Sequence, residues 1–185
     1  MELSPPSVRH RPAVRGWAVR AASVQDAQAL AALAASTFAL ACPPGMDPAA
    51  IDRLLRERLS PDAFAIALAD PQQHLFVAQP PGAGVAGYVR LVADGPGAPE
   101  PGLLELRQIY VLGRYHGTGM AGELMAKAVD VAGLLGRAGL WLGTAKQNAR
   151  AISFYRRHGF AVAGERIFHV GGAPNEDWVL VRRLS

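Results

Sequence analysis

Cysteine is all but absent from this 185-residue chain: Cys42 stands alone. No internal disulfide can form, and no Cys/His spacing of the zinc type occurs, so no metal is expected and a reducing, cytoplasmic location is. Long apolar runs are missing too. No window approaches the ~20 uninterrupted apolar residues of a membrane span, and residues 1–16 lack the apolar stretch of a signal peptide, so the expectation is a soluble protein without a membrane partner. Charge is sparse, at 18% of residues against the roughly 25% usual for soluble chains. The net charge is +4, yet the arginines are scattered singly or in pairs (Arg156-Arg157, Arg182-Arg183), with no basic run interleaved with aromatics. Nucleic acid is therefore not an expected partner.

What the chain does have is apolar content: 50% of residues are hydrophobic, enough at this length for one domain with a sizeable core. Residues 1–16 are rich in Pro and Arg without any period and read as a disordered arm, leaving one domain over 17–185. A first strand is predicted over 17–22. Ser23 and Asp26 form an S-x-x-D helix start before Leu30, Leu33 and Ala34. A second helix starts at Asp47-Pro48 with Ile51, Leu54, Leu55 and Leu59 on one side, and a third at Ser60-Pro61-Asp62. The period then changes. Residues 74–79 and 85–93 flank the turn PPGAG as a hairpin, and residues 103–111, LLELRQIYV, form a long strand. A helix follows with Ala121, Leu124, Met125, Ala128, Val129, Ala132 and Leu135 as its apolar stripe. Residues 139–144 make a fifth strand, Asn148 caps a helix that stops at Gly159, and residues 160–170 and 177–184 close the sheet across a loop at 171–176.

Between the long strand and its helix lies Gly117-Thr118-Gly119-Met120-Ala121-Gly122, a G-x-G-x-x-G pattern. Such a loop presents backbone N–H groups at a helix N-terminus, where the summed peptide dipoles favour an anion. A dinucleotide site would set the loop directly after the first strand and want an acid about 20 residues on. Neither condition is met: residues 112–116 intervene, about a hundred residues precede the loop, and the next strand offers no acid. A dinucleotide-binding enzyme stays an alternative on the glycines alone.

The wider neighbourhood is more specific. Arg114 to Gly119 fits R/Q-x-x-G-x-G/A after a strand ending in Val, and Asn148 opens N-x-x-A-I-x-F-Y-x-x-x-G-F, so the chain resembles the GCN5-related N-acetyltransferase (GNAT) superfamily. Its "IYV" and "LWLG" strands look most like the PaiA-like spermidine/spermine N-acetyltransferases. The resemblance spans about residues 17–184. It implies an α/β fold with a mixed, mostly antiparallel sheet that splits open between the strands at 103 and 139 and is flanked by helices. It further implies acetyl-CoA as co-substrate, with its pantetheine arm in the split and its diphosphate on the backbone amides of His116, Gly117, Thr118, Gly119, Met120 and Ala121, and with Arg114 and His116 as neighbours of the phosphates. The N–H of Val111 would meet the thioester carbonyl, with Ile109 and Tyr110 beside it on the pantetheine.

Acetyl transfer to an amine needs a base, a polarised carbonyl and an acid for the leaving thiolate. A primary alkylamine resembles Lys, with pKa about 10.4, and is mostly protonated at neutral pH; Glu105 on the long strand is the candidate base. Strand alternation would set it on the face of Arg107, Ile109 and Val111 unless a bulge intervenes. Tyr155, with an ordinary phenol pKa of about 10, is the candidate acid. Asn148 and Tyr155 lie two helical turns apart on one face, with Ile152 between them, where one pantetheine could touch all three. The reaction expected is transfer of acetyl to a primary amine, such as a polyamine, for which Asp94, Glu100, Glu165, Glu176 and Asp177 offer carboxylates. A non-catalytic acyl-CoA-binding regulator is the other alternative, and the chain is expected to be a monomer or a homodimer.

Overall fold

A computed structural model describes residues 16–38, 47–170 and 173–184; residues 1–15 of the expected arm, and Cys42, lie outside the described residues. The first strand, β1 (Ala18–Ala21), ends at a helix start built on Asp26. That carboxylate accepts from the Ser23 backbone N–H at 2.8 Å and from Arg20 at 2.7 and 2.8 Å, which fixes the entry into α1 (Ala27–Phe38). The next two helices are capped as their sequences dictate. Asp47 accepts from Ala49 N–H at 3.0 Å before α2 (Pro48–Arg58), and Ser60 accepts from Ala63 N–H at 3.3 Å before α3 (Pro61–Ala69), each helix with proline in its first turn.

Strands β2 (Gln73–Gln79), β3 (Gly87–Val92) and β4 (Leu103–Val111) then form an antiparallel meander on β1. Helix α4 (Met120–Leu134) crosses over to β5 (Gly139–Ala145), which runs parallel to β4. Helix α5 (Ala149–Arg157) leads to β6 (Ala161–Val170) and β7 (Ala173–Arg183). The spatial order is β1-β2-β3-β4-β5-β7-β6, one seven-stranded sheet with a single parallel junction in its middle. Among the described residues no helix is long and apolar enough to cross a membrane.

Alternation along the strands divides the core. Val89, Leu91, Leu104 and Leu106 face α4, where Met120, Leu124, Met125, Ala128, Val131 and Ala132 are buried. Leu75, Val77 and Tyr88 face α1 and α3 on the other side, against Leu30, Leu33 and Phe64. Trimming a filled position such as Leu124 to Ala would cost about 2–5 kcal/mol.

Three expectations are revised. Leu135 is exposed rather than part of the α4 stripe, because the helix ends at Leu134 and the backbone turns away; Val131 is buried in its stead. On α2 only Ala50 and the following Leu59 are fully buried, so this helix is a cover rather than a core element. Of the loop expected at 171–176, residues 173–176 are strand, and 171–172 lie outside the described residues. β6 is long enough to pair with Pro174, Asn175 and Glu176, and ladder pairing there outweighs the poor strand propensity of these residues, with the proline near the strand's start.

Candidate functional site

The parallel junction is short. β4 and β5 pair only at Leu103↔Gly139, Leu104↔Leu140 and Glu105↔Trp141, after which the strands diverge. A cleft of about 1380 Å³ runs through the gap, from α2 on one side of the sheet to the glycine loop on the other. Leu112 N–H donates to the O of Ala86, the residue just before β3, at 2.9 Å. Neighbouring amides on a strand point to opposite edges, so the N–H of Val111 points into the gap left by β5. The Val111 carbonyl accepts from His116 Nε2 at 2.8 Å, which fixes that imidazole with its proton on Nε2 and pins the end of β4 to the loop.

In the loop the N–H groups of His116 and Thr118 close turns onto Gly113 O and Tyr115 O, at 3.0 and 3.3 Å. Among the described residues, those of Gly117, Gly119, Met120, Ala121 and Gly122 have no acceptor within the protein. Four of these five open α4, a ready anion site. Gly117 and Gly119 have φ of +76° and +98°, and a Cβ at either would meet open space. Their need is thus conformational: the left-handed backbone turns the amides outward, at a cost for any other residue of roughly 1–2 kcal/mol. Met120 gives the site only its amide, since its side chain is buried in the core. His116, Gly117, Gly119 and Ala121 line the cleft; Arg114 and Thr118 do not, the first stacking on Tyr115 and the second bonding Tyr115 O at 2.7 Å.

Across the gap, Asn148 caps α5 by accepting from Ala151 N–H at 3.0 Å, which leaves its NH₂ on the cleft wall. Tyr155 lines the same wall, its ring packed edge-on to Phe154 and Phe160 at 5.5 and 5.7 Å. Burial pushes its phenol above the ordinary range, so the proton is retained through neutral pH. Ile152 is not on this wall; it faces a separate shallow hollow beside Lys146 and Trp178. Phe154 packs against the core and also lines the cleft, its ring tilted on that of His158 with centroids 4.5 Å apart. Burial, then Arg182 and Arg157, hold that histidine below its usual range and favour its neutral form.

Glu105, Ile109, Tyr110 and Val111 all line the cleft, but not on one face. A β-bulge shifts the β3/β4 register between Arg90/Leu91, with Arg90 opposite Gln108 and Leu91 opposite Leu106, so Arg107 is the extra residue. Ile109 and Val111 turn to the α4 side, while Glu105 shares the opposite face with Gln108 and Tyr110. The alternation expected from sequence fails here because one inserted residue reverses the parity. Glu105 is 7% exposed, and its Oε2 accepts from both Nε and Nη2 of Arg107.

On this face the cleft is richer in cations than the sequence indicated. Of the five carboxylates named for a polyamine only Asp177 lines it, and it is 5% exposed and paired with Arg166 at 3.3 Å. The others are spent elsewhere: Asp94 on Arg137, Glu100 on Arg183, and Glu165 and Glu176 on Lys146. Arg166 lies over the Trp141 ring and fills the space that a side chain at Gly143 would take. Arg90, Arg107, Gln108 and Arg166 were not singled out from sequence. Gly143 in the strand was the signal for close approach there, whereas nothing local marks the bulge.

The family model described as acetyltransferase (GNAT) family matches residues 36–160. An uncharacterized N-acetyltransferase of Mycobacterium tuberculosis (strain ATCC 25618 / H37Rv) is 39% identical over 159 residues, covering 86% of this chain and 98% of the relative. One of Lactobacillus delbrueckii subsp. lactis is 26% identical over 164 residues, covering 88% and 94%. The crystal structure of PaiA N-acetyltransferase from Thermoplasma acidophilum, in complex with coenzyme A, superposes with a TM-score of 0.76 at 18% identity, over 91% of this chain and 99% of that one. The shared feature at that identity is the fold.

Proposed function

The chain belongs to the GNAT acetyltransferase family, acetyl-CoA-dependent N-acetyltransferases, and from that premise we propose that it moves the acetyl group directly to a primary amine, with both reactants held in the β4/β5 gap. One observation carries this reading: the outward amides of the loop, the Val111 N–H and Tyr155 all border a single continuous cleft. Family membership removes the dinucleotide alternative, and relatives named as N-acetyltransferases favour turnover over a non-catalytic regulator of the same fold. Acetyl-CoA fits the residues present, since a diphosphate suits the unpartnered amides of Gly117 and Gly119 to Gly122, and an extended pantetheine suits the gap. When bound it supplies the thioester.

The residues act as follows. The N–H of Val111 donates to the carbonyl oxygen and supports the charge that develops there. Glu105 takes a proton from the attacking nitrogen, directly or through water, as the N–C bond forms. Its Oε2 is held by Arg107, which leaves Oε1 for this task. Tyr155 gives its proton to the sulfur as the C–S bond breaks, and is reprotonated from solvent. No covalent acyl-enzyme is needed. Thiol release from acetyl-CoA, read with a panel of amines that includes spermidine, and mass spectrometry of the product test the proposal. Amine-dependent release with an N-acetyl product is the expected result; tight coenzyme binding without it would overturn the reading.

A further inference from the structure

Arg90, on β3, is a half-buried guanidinium without a carboxylate partner among the described residues. Its Nε donates to Gln73 Oε1 at 2.8 Å, and among the described residues no acid lies within ion-pair distance of it. The stretch 39–46 between α1 and α2, outside the described residues, contains no Asp or Glu in its sequence. Arg90 borders the cleft on the same face as Glu105, opposite Gln108 across the strands. The Gln108 Oε1 is itself buried with no donor. Burial, and next the charge of Arg107, depress the Arg90 pKa, the mark of a cation held in poor solvent beside another cation.

The surroundings relieve this charge only in part: Glu105 and Asp70, the latter bonded to Gln73, attract it from beyond ion-pair distance. Glu105 and Asp177 are already matched by Arg107 and Arg166, and on α2 only Glu57 faces Arg53 and Arg58 at the rim. An unpaired buried charge is costly, and a cavity that keeps one is complementary to an opposite charge brought by its ligand. A polyamine, carrying several positive charges, meets the wrong sign here. Arginine's planar fork instead matches a carboxylate with two parallel hydrogen bonds.

Resting on the acetyltransferase reading above, we infer that the acceptor amine also bears a carboxylate, as an amino acid does, and that Arg90 is the residue that selects it. Arg90 Nη1 and Nη2 hold the carboxylate while the amine points toward the gap and Glu105. Arg90 is a specificity residue on the substrate, with no part in proton transfer.

The test compares L-amino acids and 4-aminobutyrate with their carboxamides, and with spermidine, as acceptors for the wild type, Arg90→Gln and Arg90→Lys. Removing the carboxylate's charge also makes the neighbouring amine easier to deprotonate, so chemistry alone favours the carboxamide. A preference for the acid then reports binding. The wild type is expected to favour its best acid over the matching carboxamide by about 10- to 100-fold in kcat/KM, the range of a charge-assisted hydrogen-bond pair. In Arg90→Gln that ratio falls toward one, chiefly through KM, and Arg90→Lys, with charge but no fork, lies between. Unaltered coenzyme affinity and melting temperature show that each variant is folded. Preference for carboxamides or spermidine, or a ratio that survives Arg90→Gln, overturns the inference and leaves the acetyltransferase reading standing. Absence of thiol release with every amine overturns both.

Discussion

Replacing Tyr155 with Phe removes one oxygen from the cleft wall and little else. The hydroxyl has no hydrogen-bond partner among the described residues, while the ring's edge contacts with Phe154 and Phe160 survive the change. The folding cost should therefore stay below about 1 kcal/mol, since neither a hydrogen bond nor buried carbon is lost. The catalytic cost is larger. A positioned general acid contributes typically about 10²–10⁴-fold, so kcat should fall by that factor, a barrier increase of about 3–5 kcal/mol. Steady-state thiol release gives kcat, and calorimetric titration with coenzyme A gives the affinity, which should move less than threefold because the phenol's proton matters only as the sulfur leaves. The pH profile supplies a second check. Because burial raises the phenol pKa above its ordinary 10, wild-type kcat should show no loss from Tyr155 ionisation below about pH 10. A Tyr155→Phe enzyme with kcat within threefold of wild type, or a wild-type rate that falls between pH 8 and 9 only when Tyr155 is present, would refute the assignment.

Gly119→Ala should lower stability by about 1–2 kcal/mol, read from chemical denaturation, and weaken coenzyme A binding, because its φ of +98° suits no L side chain although nothing blocks the Cβ. Asn148→Ala removes the cap on α5 and should cost about 0.5–2 kcal/mol by the same measurement. Asp26 is held at about 2 by Arg20 against an ordinary 3.8. Its folded pKa is the lower one, so its contribution is present above about pH 4 and lost as pH falls toward 2. Discounted for the exposed arginine, that amounts to about 1 kcal/mol, and an Asp26→Asn variant should show an acid limb flatter than wild type by about this much.

The elements were legible because their signals are local. Each helix start named in the sequence carries its own cap, and the period change near residue 74 marks the passage from helices to sheet. The glycine loop and the Asn148–Tyr155 spacing were legible for the same reason: both lie within a few turns of chain. What stayed hidden depends on distant pairing. The bulge at Arg107 arises from the register of β4 on β3, and it alone decides which face Glu105 shares. The length of β7 is set by β6, so Glu176 read as loop although it is strand. Arg90 and Arg166 look like ordinary surface cations in sequence; only folding reveals that Arg166 has a partner while Arg90 has no acid within ion-pair distance among the described residues.

The short junction of β4 and β5 makes the sheet mechanically two leaves joined by three rungs. Helix α4 packs on both, touching β2, β3 and β4 on one leaf and β5 on the other, and so works as a splint across the fold line. The aperture is then governed from behind, by the bulk of Leu124 and Met125 under the splint rather than by the groups that face the reactants. Widening or narrowing those core residues would retune how far the leaves stand apart without altering a single atom of the wall.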